Sequence, residues 1–251
     1  MPKFCANLSF LYTELPLIER IGAARAAGFE AVEILFPYDG DAAALSYALA
    51  THELPLALVN CPPPNYADPD GPRGFAAVPG QEGRFRSAFR RALRYARTLG
   101  AERIHIMSGV AAGAEAEACL IANLTHAVEQ AGGLPLTIEP INAHDMPGYF
   151  LNDFDLAVRV LEAVNSDSLG LQFDVYHAHR ITGDVLATWA AVKDRVTHVQ
   201  FADVPGRGAP GTGQIDFPAI WAQLEADGYG GWVSAEYKPG GPTDGTLEWL
   251  K

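Results

Sequence analysis

Cysteine is scarce in this 251-residue chain, and the three present, Cys5, Cys61 and Cys119, are widely spaced and odd in number. That usage fits neither a disulfide framework nor a cysteine-built zinc site, and reducing cytoplasm is the expected compartment. Basic side chains are also few: 18 Lys and Arg stand against 30 Asp and Glu, a formal charge of −12. Such a surface repels a phosphate backbone, so neither nucleic acid nor an anionic membrane is an expected partner. No run of about 18 apolar residues occurs, and no membrane span is expected. The opening residues lack the charged leader and apolar run of a secretion signal. A glycine-rich phosphate turn is missing too: Asn7-Leu8-Ser9-Phe10-Leu11 follows the first strand pattern without a glycine, which disfavours a doubly wound nucleotide-binding sheet. What the chain does have is 49% apolar and 19% charged residues, the balance of a globular interior, and a length close to that of one eight-stranded barrel.

Short β-rich apolar runs alternate with helical periodicities. Strands are predicted at 3–8, 31–35, 56–60, 103–107, 134–139, 169–174, 197–201 and 232–236, and helices at 15–27, 42–52, 82–99, 114–131, 153–164, 185–192 and 217–226. Gly28, Gly100, Gly132 and Gly228 follow four of these helices where a left-handed cap would stop them. The alternation favours a parallel sheet covered by helices, and a single α/β domain over 1–251, a closed (β/α)8 TIM barrel, accommodates it most simply. The Pro- and Gly-rich stretch at 62–66 and 68–80 is expected to form a lid or rim element.

The informative feature is where polar residues interrupt the strand patterns. The second strand carries Glu33, the fifth ends in Glu139, the sixth in Asp174, the seventh holds Gln200 and the eighth ends in Glu236. In a barrel the C-terminal strand ends share one mouth, which sets Glu139, Asp174, Gln200 and Glu236 face to face. Three carboxylates that close raise one another's pKa unless a cation neutralises them. Three carboxylates and an amide oxygen suit a hard ion, Mg²⁺ or Mn²⁺, with positions left for a chelating substrate, and suit zinc poorly.

His177 follows Asp174 by three residues and is a candidate substrate donor at the same mouth, while His105 and His198 lie within strands as core or supporting groups. Arg207 and Lys238 are cations near that mouth, suited to a substrate carboxylate. Six arginines make the third helix basic, and Arg86, Arg90 and Arg94 share one face, expected to be solvated or to meet acidic surface of another copy in a homo-oligomer.

The segments Ala6-Asn7-Leu8-Ser9, Val32-Glu33-Ile34-Leu35-Phe36-Pro37-Tyr38, Ile138-Glu139-Pro140-Ile141-Asn142, Phe173-Asp174-Val175-Tyr176-His177, Pro210-Gly211-Thr212-Gly213 and Ala235-Glu236-Tyr237-Lys238-Pro239 together resemble the hydroxypyruvate isomerase family of xylose isomerase-like TIM barrels, in order and spacing. The resemblance implies a Mg²⁺-assisted aldose–ketose isomerase acting on a small hydroxy-oxo acid. It implies Glu139 and Glu236 as the proton donor/acceptor pair and as metal ligands, Asp174 and Gln200 as the remaining ligands, and His177 and Arg207 as substrate contacts. A 2-oxo-tetronate isomerase and a ketose 3-epimerase are the alternatives on the same site. The family often reads Gly-Arg-His-Glu-Pro-Gly-Thr-Gly-Glu where this chain has Gly206-Arg207-Gly208-Ala209-Pro210-Gly211-Thr212-Gly213-Gln214, a departure bearing on substrate preference.

Overall fold

A computed structural model describes residues 2–63 and 71–250. Strands β1 (Lys3–Asn7), β2 (Ala31–Glu33), β3 (Val59–Asn60), β4 (Ile104–His105), β5 (Leu136–Ile138), β6 (Leu169–Asp174), β7 (Val196–Phe201) and β8 (Trp232–Ala235) pair in parallel in the order β2-β1-β8-β7-β6-β5-β4-β3. The two outer members also meet: Val32 bridges Leu56, and the Ala57 N–H donates to the Val32 carbonyl at 2.7 Å, which closes the ring. The eight βα units and the TIM barrel expected from the sequence are therefore present.

Helices α1 (Leu17–Ala27), α2 (Ala42–Thr51), α3 (Glu82–Leu99), α4 (Ala114–Ala131), α5 (Phe154–Val164), α6 (Val175–Thr182), α7 (Val185–Val192) and α8 (Phe217–Ala226) surround the ring. Gly28, Gly100 and Gly132 are left-handed caps, whereas α8 is capped by Asp227, with Gly228 left-handed just after it. On α3, Phe85, Phe89, Ala92, Leu93 and Ala96 are buried, and Arg86, Arg90 and Arg94 lie on the exposed side. Helix α6 was not expected: its residues are weak helix formers, and it depends on Asp174, whose Oδ1 caps it by accepting the Tyr176 N–H at 2.8 Å.

Strand alternation sorts the side chains. Phe173 and Phe201 point outward onto the helices, Phe173 meeting Trp189 with ring centres 5.4 Å apart and Phe201 meeting Phe217 and Trp221 at 5.8 and 5.0 Å. Burial of each such ring contributes roughly 2–3 kcal/mol. Their neighbours Gln172, Asp174, His198 and Gln200 are buried in the barrel, on the other face of the same strands. The ladders stop one residue short of Glu139 and Glu236, leaving both side chains at the mouth. Pro140 has no N–H with which to continue β5.

Of the stretch expected to form a lid or rim, residues 64–70 lie outside the described residues. Its later part is fixed against the end of β4: Gly74 bridges Ser108, and the Ala77 N–H donates to the Ser108 carbonyl at 2.7 Å. Gly74 has φ +102°, and a Cβ there would lie 2.2 Å from the Met107 carbonyl oxygen. A Gly74→Ala change forces the backbones apart as well as straining the dihedral, costing about 2–4 kcal/mol. The expected thermal melt falls by about 5 °C or more. An unchanged melt would mean that the 74–77 segment is not held as described.

Candidate active site

Each acid reaches the mouth from a different strand, and buried amides fix how it points. Asn7 Nδ2 donates to Glu33 Oε1 at 2.6 Å and to Glu236 Oε2 at 2.9 Å, while its Oδ1 accepts the Ser9 N–H. Gln172 Nε2 donates to Glu139 Oε2 at 2.9 Å and to Gln200 Oε1 at 2.7 Å, and Gln200 Nε2 donates to Glu33 Oε1 at 2.7 Å. One continuous path, Glu139–Gln172–Gln200–Glu33–Asn7–Glu236, thus joins the two glutamates beneath the mouth. His198 Nε2 bonds Glu33 Oε2 at 2.8 Å and holds that carboxylate from the other side.

Asp174 spends Oδ1 on capping α6 and turns Oδ2 toward the mouth, 3.6 Å from His177 Nε2 and 3.3 Å from the Arg207 guanidinium. Glu139 Oε1 is 3.8 Å from the same His177 nitrogen. The His177 tautomer follows from its neighbours. Asn142 Oδ1 accepts the Asp145 N–H at 2.9 Å, so Asn142 Nδ2 faces His177 Nδ1 as a donor at 2.7 Å, and the Asn142 backbone N–H faces it at 3.3 Å. Nδ1 is therefore the acceptor, and Nε2 presents an N–H to the acids.

Arg207 closes the arrangement. Its guanidinium bonds Glu236 and Asp174 and lies over the rings of Phe10 and Tyr176, 5.1 and 5.2 Å from their centres. It stands on the loop between β7 and α8 in a left-handed conformation, φ +57°. Asp203 at the root of that loop is buried and accepts five backbone N–H groups: Val204, Gln214 and Ile215 on Oδ1 at 2.8, 2.9 and 3.1 Å, Gly211 and Gly213 on Oδ2 at 3.1 and 2.7 Å. In Asp203→Asn an NH₂ confronts two of these part-buried donors, at a cost of about 1–3 kcal/mol in all. The expected result is a melt lowered by several degrees and turnover reduced about 10- to 100-fold through misplacement of Arg207. Wild-type turnover in that variant would dissociate the loop from the site.

Two buried carboxylates, Asp174 and Glu236, pair with the one guanidinium, and buried Glu139 and Glu33 add their charges to the cluster. Burial, then the charges of Asp174 and Glu236, hold the Glu139 carboxyl well above the usual range. Burial likewise pushes Glu236 up to about 8, since the like charges of Glu33 and Asp174 act with desolvation against the Arg207 guanidinium. Burial keeps His177 neutral, with its pKa lowered to about 4. A cation is already drawn into the acids in the form of Arg207, and Glu139, Asp174 and His177 each offer an atom within 4.8 Å of the others. The oxygen-rich donors fit a hard divalent ion. His177 would have to change tautomer to serve it.

A cavity of about 190 Å³ opens on the site, lined by Glu139, His177, Arg207 and Glu236 and walled by Phe10, Met107 and Ile141. It matches a ligand well below drug size. Glu139, Asp174, His177, Arg207 and Glu236 are therefore brought together as expected. Gln200 is fully buried below them with both ends of its amide engaged, and Lys238 is exposed, does not line the cavity and meets Arg207 through its backbone N–H at 2.7 Å. The supporting residues Asn7 and Gln172 were not singled out from the sequence. The signal that marks them is spacing: Gln172 and Asp174, like His198 and Gln200, stand two apart on one strand and so share its inner face.

A family model described as xylose isomerase-like TIM barrel matches residues 21–251. The chain belongs to the xylose isomerase-like TIM barrel family. Within this family it is 41% identical to 2-oxo-tetronate isomerase of Cupriavidus necator, over 100% of this chain and 98% of that protein. It is 38% identical to hydroxypyruvate isomerase of Escherichia coli, again over 100% and 98%. A crystal structure from Brucella melitensis, described as AP endonuclease, family 2, matches with a TM-score of 0.95 at 38% identity, covering 100% of this chain and 98% of that one. On these relationships the xylose isomerase-like barrel is an enzyme of the isomerase class.

Proposed function

We propose that the chain interconverts hydroxypyruvate and tartronate semialdehyde, with Glu139 and Glu236 moving the proton. The observation that carries this reading is that both glutamates are buried, tied to one hydrogen-bond path, raised in pKa and open to one small cavity. One carboxylate takes a C3 hydrogen of the substrate as a proton, leaving an enediolate. The other carboxyl, kept protonated by burial near neutral pH, delivers a proton to C2, and the hydroxyl hydrogen passes from the C3 oxygen to the C2 oxygen. The His177 Nε2–H donates to a substrate oxygen, and Arg207 holds Glu236 in place and balances the acids.

Glu139, Asp174 and Glu236 would hold a Mg²⁺ or Mn²⁺ ion, with Gln200 as amide donor once it releases Gln172. Bound there, such an ion supplies positive charge to the substrate oxygens and keeps one carboxyl ionised. A four-carbon 2-oxo-tetronate is the second reading, favoured by the 41% identity to the Cupriavidus necator enzyme. Nuclease chemistry has less support: the chain carries a charge of −12, and the described residues hold a single metal-type cluster containing one histidine. Turnover of hydroxypyruvate, a 2-oxo-tetronate and a neutral ketose, side by side with Mg²⁺, tests the proposal. Preference for the ketose would overturn it.

A further inference from the structure

Three residues beyond Glu139, buried Asn142 meets the His177 imidazole at Nδ1, while Nε2 is the ring nitrogen nearest Glu139 and Asp174. The Asn142 amide is oriented from both ends. Its Oδ1 accepts the Asp145 N–H at 2.9 Å and its Nδ2 donates to Asp145 Oδ2 at 3.2 Å, so the NH₂ is the end that meets His177, at 2.7 Å. The Asn142 backbone N–H faces the same nitrogen at 3.3 Å.

Two donors at one ring nitrogen require a bare lone pair there, and a neutral imidazole then carries its proton on Nε2. One contact competes: Arg207 Nη1 is a donor 3.4 Å from Nε2. It is longer than the Asn142 contact, and the same guanidinium is engaged by Glu236 and Asp174.

The tautomer decides what His177 can be. An Nε2–H donates a hydrogen bond and cannot bind a metal, whereas an Nε2 lone pair can bind a metal and cannot donate. Nε2 stands 3.8 Å from Glu139 Oε1 and 3.6 Å from Asp174 Oδ2, close enough to these acids for either part. We propose that Asn142 is a positioning residue that fixes His177 as a donor to a substrate oxygen and keeps it off the metal, leaving the ion an all-oxygen set. This rests on the isomerase reading above and names the residue that divides the work of that site between metal and imidazole. Asp145 acts one step further out. By engaging both ends of the Asn142 amide it prevents the flip that would turn Oδ1 toward Nδ1 and move the ring proton.

The first test needs neither substrate nor metal. Nitrogen NMR of the metal-free full chain with labelled histidine, assigned against His177→Gln, is expected to show a pyridine-type Nδ1 and a pyrrole-type Nε2 at His177. The double variant Asn142→Asp, Asp145→Asn keeps the net charge and reverses the donor–acceptor order of the pair, and in it the two shifts are expected to exchange. Competition calorimetry should then find Zn²⁺ binding strengthened at least about 10-fold relative to Mn²⁺, because a nitrogen ligand joins Glu139 and Asp174. Turnover of hydroxypyruvate with Mn²⁺ is expected to fall about 10- to 100-fold in the same variant, the substrate having lost a donor. A wild-type His177 with its proton on Nδ1 would overturn the proposal whether or not the variant folds. Exchanged shifts with an unchanged Zn²⁺/Mn²⁺ ratio would overturn it as well. The expected shifts and ratio in a protein that isomerises no 2-oxo acid would leave the Asn142 assignment standing and sink the isomerase reading instead.

Discussion

Replacing Glu236 by Gln is expected to lower turnover of hydroxypyruvate about 10³-fold and to abolish exchange of its C3 hydrogens in heavy water, because one partner of the proton-moving pair can no longer titrate. The same change is expected to stabilise the metal-free protein, and to do so in one pH range. A carboxyl whose pKa is higher in the folded than in the unfolded chain takes up protons on folding. Its contribution is complete below the ordinary carboxylate range and is lost as pH rises through about 8, where Glu236 titrates. The Glu236→Gln variant should therefore melt at nearly the wild-type temperature near pH 5 and about 5 °C or more above it at pH 9. His177 and His105, lowered to about 4 and about 3 by burial, act on the other side: their contribution is complete above about pH 6.5 and is lost as pH falls through those values. Measurement from pH 7 to 9 isolates the glutamate. A variant with wild-type exchange would remove Glu236 from the reaction.

Removal of divalent ions by a chelator is expected to reduce isomerisation at least about 100-fold, with recovery on adding Mg²⁺ or Mn²⁺. The stronger signature is thermodynamic. Burial and like charges hold the Glu139 and Glu236 carboxyls toward the protonated form in the metal-free protein, so holding an ion there requires protons to leave. Calorimetric titration with Mn²⁺ at pH 7, repeated in buffers of different ionisation enthalpy, should report protons released on binding, and affinity should increase with pH up to about 8. Binding with no proton release would contradict the raised pKa values on which the acid–base roles rest.

Strand ends were readable because a barrel turns sequence order into geometry: once eight βα units are recognised, Glu139, Asp174 and Glu236 must share a mouth. The amide network beneath them was harder to read. Asn7 and Gln172 look like isolated polar residues in apolar strands, and their role depends on strands far apart in sequence, Asn7 meeting Glu236 across 229 positions. Helix α6 was hidden because a single capping carboxylate, rather than propensity, starts it. Lys238 sits two residues after Glu236, yet the chain beyond β8 carries its side chain outside the cavity, while Arg73, remote in sequence from Glu139, Asp174 and Glu236, lines the wall next to the Gly74–Ser108 bridge. Proximity along the chain misled for the first and gave no hint of the second.

Diffraction from Mn²⁺-soaked crystals at the manganese absorption edge offers the sharpest single check on the site. The expected anomalous peak lies at the barrel mouth within bonding distance of carboxylate oxygens from Glu139, Asp174 and Glu236, with the Arg207 guanidinium moved off Asp174 to admit it. A fully soaked crystal with no peak there, or with the ion bound elsewhere while these acids keep their bonds to Arg207, would show that they do not assemble around a cation.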